Sequence, residues 1–287
     1  MARPRPRGHF LDIDGRRLHF VPVGPPETGP LILLEAGSFG FSADWAVVQE
    51  RLAVRGLRSL AYDRAGMGLS DPGPSPRDGV AIAYDLERLL AAASEAGPYL
   101  LVGHSMAGLH NHIFAGRNRD RILGLVLVDA VTPVMGRDTQ VSRYAGYYRR
   151  LAQGVAALTA IGAFKPFGRW GDTIGLDGEA QGHKRWAFAD AGHNRASADE
   201  IAQWETVVDQ ALAAGPLDPA WPVAVVTAGV ARGASRLKDM QATPAEAATH
   251  GHIAYVERAN HASLLGLAFA GPIVEAIEQV LKAAQAK

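Results

Sequence analysis

The sequence contains no cysteine among its 287 residues. Without thiols the chain can form no disulfide, no thiolate metal site and no cysteine nucleophile. It also lacks an apolar run of the roughly 18 residues that a membrane-spanning helix needs. The basic start "MARPRPRGHF" is not followed by an apolar run, unlike a secretory signal. From these absences we expect a soluble, cytoplasmic protein.

The net charge of the chain is zero, because 29 basic side chains balance 29 acidic ones. This balance gives no reason to expect nucleic acid as a partner or insertion into a membrane. His110 and His112 are two residues apart on a predicted helix and so point to different sides. His250 and His252 have no evident third ligand, so we expect no metal site. We also expect no organic cofactor, and the sequence leaves the oligomeric state open.

Short apolar runs alternate with longer helical patterns along most of the chain. The runs predict a hairpin over residues 9–23, with Asp14-Gly15 as its turn, and strands over 30–37, 57–63, 99–105, 123–130, 223–229 and 252–258. Between and after them, the patterns predict helices near 43–55, 78–96, 107–118, 235–249 and 263–285. This alternation predicts an α/β fold with a mostly parallel sheet and helices on both faces.

One interval, residues 133–222, shows no strong strand pattern. Some 90 residues without a strand are too many for a simple connection, and helical patterns occur near 140–161 and 197–213. We therefore expect an α/β core formed by residues 1–132 and 223–287, with a helical cap inserted at 133–222. Its tryptophans are first of all packing residues, and they are also suited to an apolar cover over a substrate.

A serine and a histidine stand at the carboxyl ends of predicted strands, where open parallel sheets bind ligands. Ser105 follows "YLLVGH" and is surrounded by Gly103, Ala107 and Gly108, which are small enough for a sharp strand-to-helix turn. His261 in "VERANHASLL" follows the last predicted strand. A serine hydroxyl needs such a base to remove its proton, and the base needs an acid to orient it.

Four segments in this order resemble the α/β-hydrolase fold superfamily over residues 9–285. They are "EAGSFGFSADW" (35–45), "YDRAGMGLSD" (62–71), "GHSMAG" (103–108) and "NHASLL" (260–265). The resemblance is closest to lipase- and esterase-like members with a helical cap. Two positions depart from the usual pattern, since Ala107 replaces a glycine of the elbow and Ala36 replaces the histidine of the oxyanion loop.

The resemblance implies a role for each site residue. Ser105 would be the nucleophile and His261 the base, while the backbone amides of Met106 and Ser38 would form the oxyanion hole. The usual site for the acid, after the strand at 223–229, offers no carboxylate before Asp239. An earlier site used in the superfamily is occupied by Asp129, which we therefore favour, with Asp239 kept as the alternative.

A buried carboxylate needs a partner. Glu35 ends a predicted buried strand beside the oxyanion loop, and we expect it to pair with Arg64 rather than to act as a second acid.

These residues predict a serine hydrolase, carboxylesterase- or lipase-like, that cleaves a small apolar ester or lactone through an acyl-enzyme. Two alternatives remain open. The same triad would also serve C–C bond or amide cleavage, and a non-catalytic ligand-binding protein can have the same fold. Epoxide hydrolysis and dehalogenation are disfavoured, because the relatives with those activities use an aspartate nucleophile.

Overall fold

One eight-stranded sheet organises this computed structural model, which describes residues 3–25, 29–229 and 235–286. The strands are β1 (His9–Ile13), β2 (Arg16–Val23), β3 (Leu31–Glu35), β4 (Ser59–Tyr62), β5 (Tyr99–His104), β6 (Ile122–Val128), β7 (Val223–Ala228) and β8 (Gly251–Val256). They lie in the order β1-β2-β4-β3-β5-β6-β7-β8. The β1–β2 and β2–β4 pairs are antiparallel and the rest are parallel. The predicted α/β class is confirmed.

The central strands are buried on both faces, which explains why they are continuous apolar runs. Successive side chains alternate between the two layers. Leu100 and Val102 of β5 belong to the same apolar cluster as residues of the first and last helices, whereas Tyr99 and Leu101 belong to the cluster on the other face. Each face of the sheet therefore has its own packed core.

Ten α-helices are present in the described part of the chain. They are α1 (Ala46–Val54), α2 (Gly79–Ala92), α3 (Ala107–Arg117), α4 (Pro133–Gly136), α5 (Thr139–Ala160), α6 (Gly178–Phe188), α7 (Ala191–Ala202), α8 (Trp204–Ala213), α9 (Arg236–Ala247) and α10 (Gly271–Gln285). Short 3₁₀ turns lie at Ser42–Trp45, Arg119–Arg121, Lys165–Trp170 and Ser263–Leu265. None of the described helices is long and apolar enough to cross a membrane.

Two helix predictions were wrong in extent. The helix predicted over 263–285 is a 3₁₀ turn followed by α10, because Pro272 starts a new helix and Gly266 packs closely against Ile174, where a Cβ would lie 2.0 Å from the carbonyl oxygen. The helix predicted over 197–213 is instead α7 and α8, which are separated at Gln203. The sequence patterns also missed α6.

Helices α4 to α8 lie between β6 and β7 in the chain, as expected for the helical insertion at 133–222. The last of them packs like a core helix, since Val207, Val208 and Ala211 of α8 belong to the apolar cluster that also contains residues of α2 and α3. The boundaries of the insertion remain a prediction.

Candidate active site

The turn after β5 holds Ser105 in a left-handed backbone conformation, with φ of 58°. Such a conformation is strained for a residue other than glycine. Neighbouring segments fix it, because the Ser105 amide donates to the Val128 carbonyl over 3.1 Å and its own carbonyl accepts from the Val131 amide over 2.9 Å. The strain is concentrated in this region, since Phe39 (φ 55°) and Asp129 (φ 43°) are also left-handed.

Small residues are needed around this turn because backbone segments approach each other closely. A Cβ added at Gly108 would lie 2.4 Å from the Val131 carbonyl oxygen, and one at Gly37 would lie 2.8 Å from the Ser105 Cβ. Real side chains do not tolerate such contacts. The predicted strand-to-helix elbow is therefore present, and the loop that follows β3 lies directly against the serine.

His261 and Asp129 come together at the same edge of the sheet. The His261 Nδ1 atom lies 2.7 Å from Asp129 Oδ2, while the alternative acid, Asp239, lies within α9. A proton on Nδ1 that is donated to this carboxylate leaves Nε2 with a free lone pair. Of the two candidate acids, Asp129 is the one that the structure brings to the histidine.

Asp129 has two further partners that the sequence analysis missed. Its Oδ1 atom accepts hydrogen bonds from Thr227 Oγ1 and Lys238 Nζ, each over 2.7 Å. Burial by itself raises the pKa of Asp129, but the hydrogen bonds from His261 and Lys238 outweigh this effect and hold the pKa below its ordinary value. The carboxylate therefore stays ionised at neutral pH, and both of its oxygens are fixed.

A second histidine supports the loop that carries His261. The His104 Nε2–H donates to the His261 carbonyl oxygen over 2.9 Å, and the two rings lie 4.5 Å apart between centroids. Burial, followed by the neighbouring His261, lowers the pKa of His104 to about 3. His104 is therefore neutral at physiological pH and acts as a hydrogen-bond donor to the backbone.

Arg64 binds the backbone of the oxyanion loop, which is the loop that follows β3. It donates to the carbonyl oxygens of Ala36 (2.5 Å) and Gly37 (2.9 Å). The carbonyl and the N–H of a trans peptide unit point in opposite directions. Because Arg64 binds the Gly37 carbonyl, the Ser38 amide is turned away from Arg64. The Ser38 hydroxyl is directed to Met106 Sδ at 3.4 Å.

The charge of Arg64 is balanced by two buried carboxylates. Glu35 lies 2.6 Å from Nη1 and Glu200, from α7 of the insertion, lies 2.9 Å from Nη2. The predicted Glu35–Arg64 ion pair is confirmed. Although burial lowers the pKa of Arg64, Glu200 and Glu35 raise it above its ordinary value, so the guanidinium is charged. This network joins the core, the oxyanion loop and the insertion.

A cavity of about 870 Å³ connects these groups. Ser38, Ser105, Met106, Asp129 and His261 all line it, so it contains every residue that the sequence analysis assigned to the site. Most of the remaining lining is apolar or aromatic and comes from the loop and the insertion: Phe39, Val141, Tyr148, Phe164, Phe188 and Ile201. Its described lysines are paired, Lys184 with Asp44 and Lys238 with Asp129.

The described residues contain no group of three or more histidine, aspartate or glutamate side chains arranged to hold a metal ion.

Comparison with protein families agrees with the observed fold. A family model described as alpha/beta hydrolase fold matches residues 30–167. This match and the strand order together show an α/β-hydrolase fold.

Related sequences match only part of their own length. The chain is 36% identical over 129 residues to "Probable transporter efuK" of Hormonema carpetanum. This alignment covers 43% of this chain and 18% of that protein. It is 32% identical over 135 residues to the haloalkane dehalogenase of Sphingobium indicum, an alignment that covers 46% of this chain and 44% of that protein. It is 33% identical over 113 residues to the uncharacterized protein YqjL of Bacillus subtilis (38% and 42%). The chain thus spans less than half of each relative.

Solved structures match almost the whole chain at low identity. The enol-lactonase from Burkholderia xenovorans LB400 has a TM-score of 0.67 and 19% identity, covering 96% of this chain and 100% of the other. The epoxide hydrolase CorEH has a TM-score of 0.73 and 19% identity, covering 96% and 98%. At this identity the likeness shows the fold and not the reaction.

Two buried histidines make the folded protein sensitive to acid. Burial is the main cause that lowers the pKa of both His104 and His193 to about 3. Below pH ~6.5 the unfolded chain binds protons at these residues and the folded chain does not. Their contribution to stability is complete above this pH and is lost as the pH falls towards 3.

We expect each of these histidines to lower the free energy of unfolding by about 1.4 kcal/mol per pH unit in this window. Urea unfolding at pH 7 and pH 5 measures the effect. In His193→Gln, the free energy of unfolding should fall less between these two pH values, because the contribution of His193 is removed. Equal stability of the wild type at both pH values would contradict the assignment.

Proposed function

We propose that the protein is a serine hydrolase that cleaves a neutral, apolar carboxylic ester or lactone through an acyl-enzyme. The observation that carries this proposal is the His261–Asp129 hydrogen bond of 2.7 Å in the same cavity as the strained Ser105 turn. Nucleophile, base and orienting acid in one cavity are the combination that activates a serine hydroxyl. A ligand-binding protein has no need of all three.

In the proposed reaction, Ser105 Oγ attacks the substrate carbonyl while His261 Nε2 accepts the hydroxyl proton. The amides of Met106 and Ser38 stabilise the negative oxygen of the tetrahedral intermediate. His261 then donates the proton to the leaving alkoxide, which leaves an ester on Ser105. In the second half, His261 takes a proton from water as the water attacks this ester. The acyl–Oγ bond then breaks, the acid is released, and His261 returns the proton to Ser105 Oγ.

The substrate class is inferred from the cavity. Its lining is largely apolar, and the lysines that reach it from the described residues already bind carboxylates. An additional carboxylate on the substrate would have to compete with Asp44 or Asp129. These features favour a neutral substrate with apolar groups.

Covalent labelling tests the nucleophile. A fluorophosphonate should add to the peptide that contains Ser105, and Ser105→Ala should abolish both the label and the turnover of short p-nitrophenyl esters. Mass spectrometry of the digested protein measures the label. A folded wild-type protein that stays unlabelled at Ser105 would contradict the proposal.

The identity of the acid is tested by a matched pair of variants. Asp129→Asn should lower kcat by roughly 10⁴, because the asparagine no longer selects the productive imidazole tautomer. Asp239→Asn makes the same chemical change on α9 and should leave kcat near the wild-type value. Steady-state ester hydrolysis, with thermal unfolding as a control for folding, measures both. The reverse ranking would transfer the role to Asp239.

The Arg64 network is tested through the oxyanion loop. Arg64→Lys should lower kcat by about ten- to a thousandfold, because a lysine cannot bind two carbonyls and two carboxylates at once and the Ser38 amide loses its orientation. Arg77→Lys is the control, since Arg77 is also buried and charge-paired, with Asp85, outside the cavity. Both variants should lose stability, but only Arg64→Lys should lose turnover. Equal loss of kcat in both would contradict the loop argument.

A further inference from the structure

The outer side of α5 carries large apolar side chains that are between 47% and 80% exposed. They are Tyr144, Tyr147, Leu151, Leu158 and, directly after the helix, Ile161. Tyr147 is 65% exposed and Ile161 is 80% exposed. We call these five residues the exposed stripe.

The exposed stripe is continuous along the helix. Its members follow one another at intervals of three, four, seven and three residues, which places them within a sector of about 100° at 3.6 residues per turn. The buried residues Val141, Ala145 and Ala152 belong to a different sector, and α5 packs there against α7. Helix α5 therefore has two adjoining apolar sides. One side is buried against α7, and the other side, the exposed stripe, faces outward. Single exposed apolar residues are common, but an aligned row of them indicates a contact surface.

The charge around the exposed stripe has one sign. Residues 139–171 contain five cations, Arg143, Arg149, Arg150, Lys165 and Arg169, and no acidic residue. All five are exposed, and none forms an ion pair with a described residue. Projected on the helix, Arg143 and Arg150 lie at one margin of the exposed stripe, within about 20° of Ile161. The net charge of the whole chain is zero, so it does not reveal this local excess of positive charge.

The segment that follows α5 has the same character. Phe167 and Trp170 are stacked with centroids 5.5 Å apart and are about half exposed, and the Arg169 guanidinium lies 4.3 Å from the Trp170 ring centroid. Exposed aromatic rings beside arginines are typical of helices that lie at a membrane surface, where the rings reach the headgroup level and the cations meet phosphates.

We propose that the exposed stripe, with Arg143 and Arg150, docks the protein onto an anionic lipid surface without crossing it. Charge complementarity distinguishes this partner from a second copy of the chain. A two-fold dimer would place the same cationic segment against itself, whereas acidic lipids attract each basic residue near the surface. The proposal concerns the surface of α5 and does not depend on the proposed reaction.

Tyr144 connects this surface to the candidate site. Its side chain lines the cavity that holds Ser105 and is also 65% exposed as part of the exposed stripe. The cavity therefore reaches the proposed lipid-facing side at this residue.

Vesicle flotation tests the proposal with the full chain. Vesicles of phosphatidylcholine and phosphatidylglycerol should bind the protein at least about tenfold more tightly than phosphatidylcholine alone, and added salt should weaken the binding. Arg143→Glu/Arg150→Glu should lower binding to the anionic vesicles by about tenfold or more. Tyr147→Ser/Ile161→Ser should also weaken it, because it removes apolar area while keeping the charge.

The control changes the net charge equally at another place. Arg121→Glu/Lys282→Glu replaces two exposed cations, one of which directly precedes β6 at the amino edge of the sheet, and should leave vesicle binding unchanged. All three substituted pairs, two in the test and one in the control, are exposed, so thermal unfolding should change little.

The proposal is overturned if the wild type fails to float, if it binds neutral and anionic vesicles equally, or if the control pair weakens binding as much as Arg143→Glu/Arg150→Glu. A concentration-dependent dimer in gel filtration that Tyr147→Ser/Ile161→Ser abolishes would instead assign the exposed stripe to a second copy, and would also overturn it.

Discussion

The hydrogen bond between His261 and Asp129 is the interaction on which the account of the site depends. It joins residues 132 positions apart in the chain, which the parallel sheet brings to one edge. In the proposed reaction, this bond fixes the tautomer and the direction of the imidazole that would activate the Ser105 hydroxyl. The surrounding structure holds this bond in place from several sides. Thr227 and Lys238 fix the other carboxylate oxygen, and His104 binds the backbone of residue 261.

Strain and buried charge are concentrated around the same cavity. Three of the left-handed non-glycine residues, Phe39, Ser105 and Asp129, line it, and such conformations persist only where the surrounding contacts determine them. The buried Arg64 supplies part of this support, because it binds the oxyanion loop and Glu200 of α7 together. The apolar walls of this cavity come largely from the helical insertion.

Local patterns predicted the core of the fold well. The central strands β3, β5 and β7 are continuous apolar runs that end in small residues, and the order of four motifs indicated the family. Ser105, Asp129 and His261 were predicted to lie together because each follows a strand, and the structure brings them to one cavity at one edge of the sheet. Asp129 was favoured because the later position holds no carboxylate before Asp239.

What the sequence did not predict depends on contacts between distant segments. Lys238 reaches Asp129 across 109 positions and Glu200 reaches Arg64 across 136, and no local pattern marks either pair. The division of the last helix arises because Gly266 packs against Ile174 of the insertion. The exposed stripe was missed for another reason, since the side of α5 that stays uncovered is known only when the helix is placed on the fold.

The most direct test of the central claim is a crystal structure of the protein inactivated with an organophosphonate ester. The account predicts phosphorus bonded to Ser105 Oγ, the phosphoryl oxygen within hydrogen-bond distance of the Met106 and Ser38 amides, and His261 still bonded to Asp129 with Nε2 directed at the phosphonate oxygens. A phosphonate on Ser105 whose phosphoryl oxygen points away from both amides, or a His261 ring separated from Asp129, would contradict it.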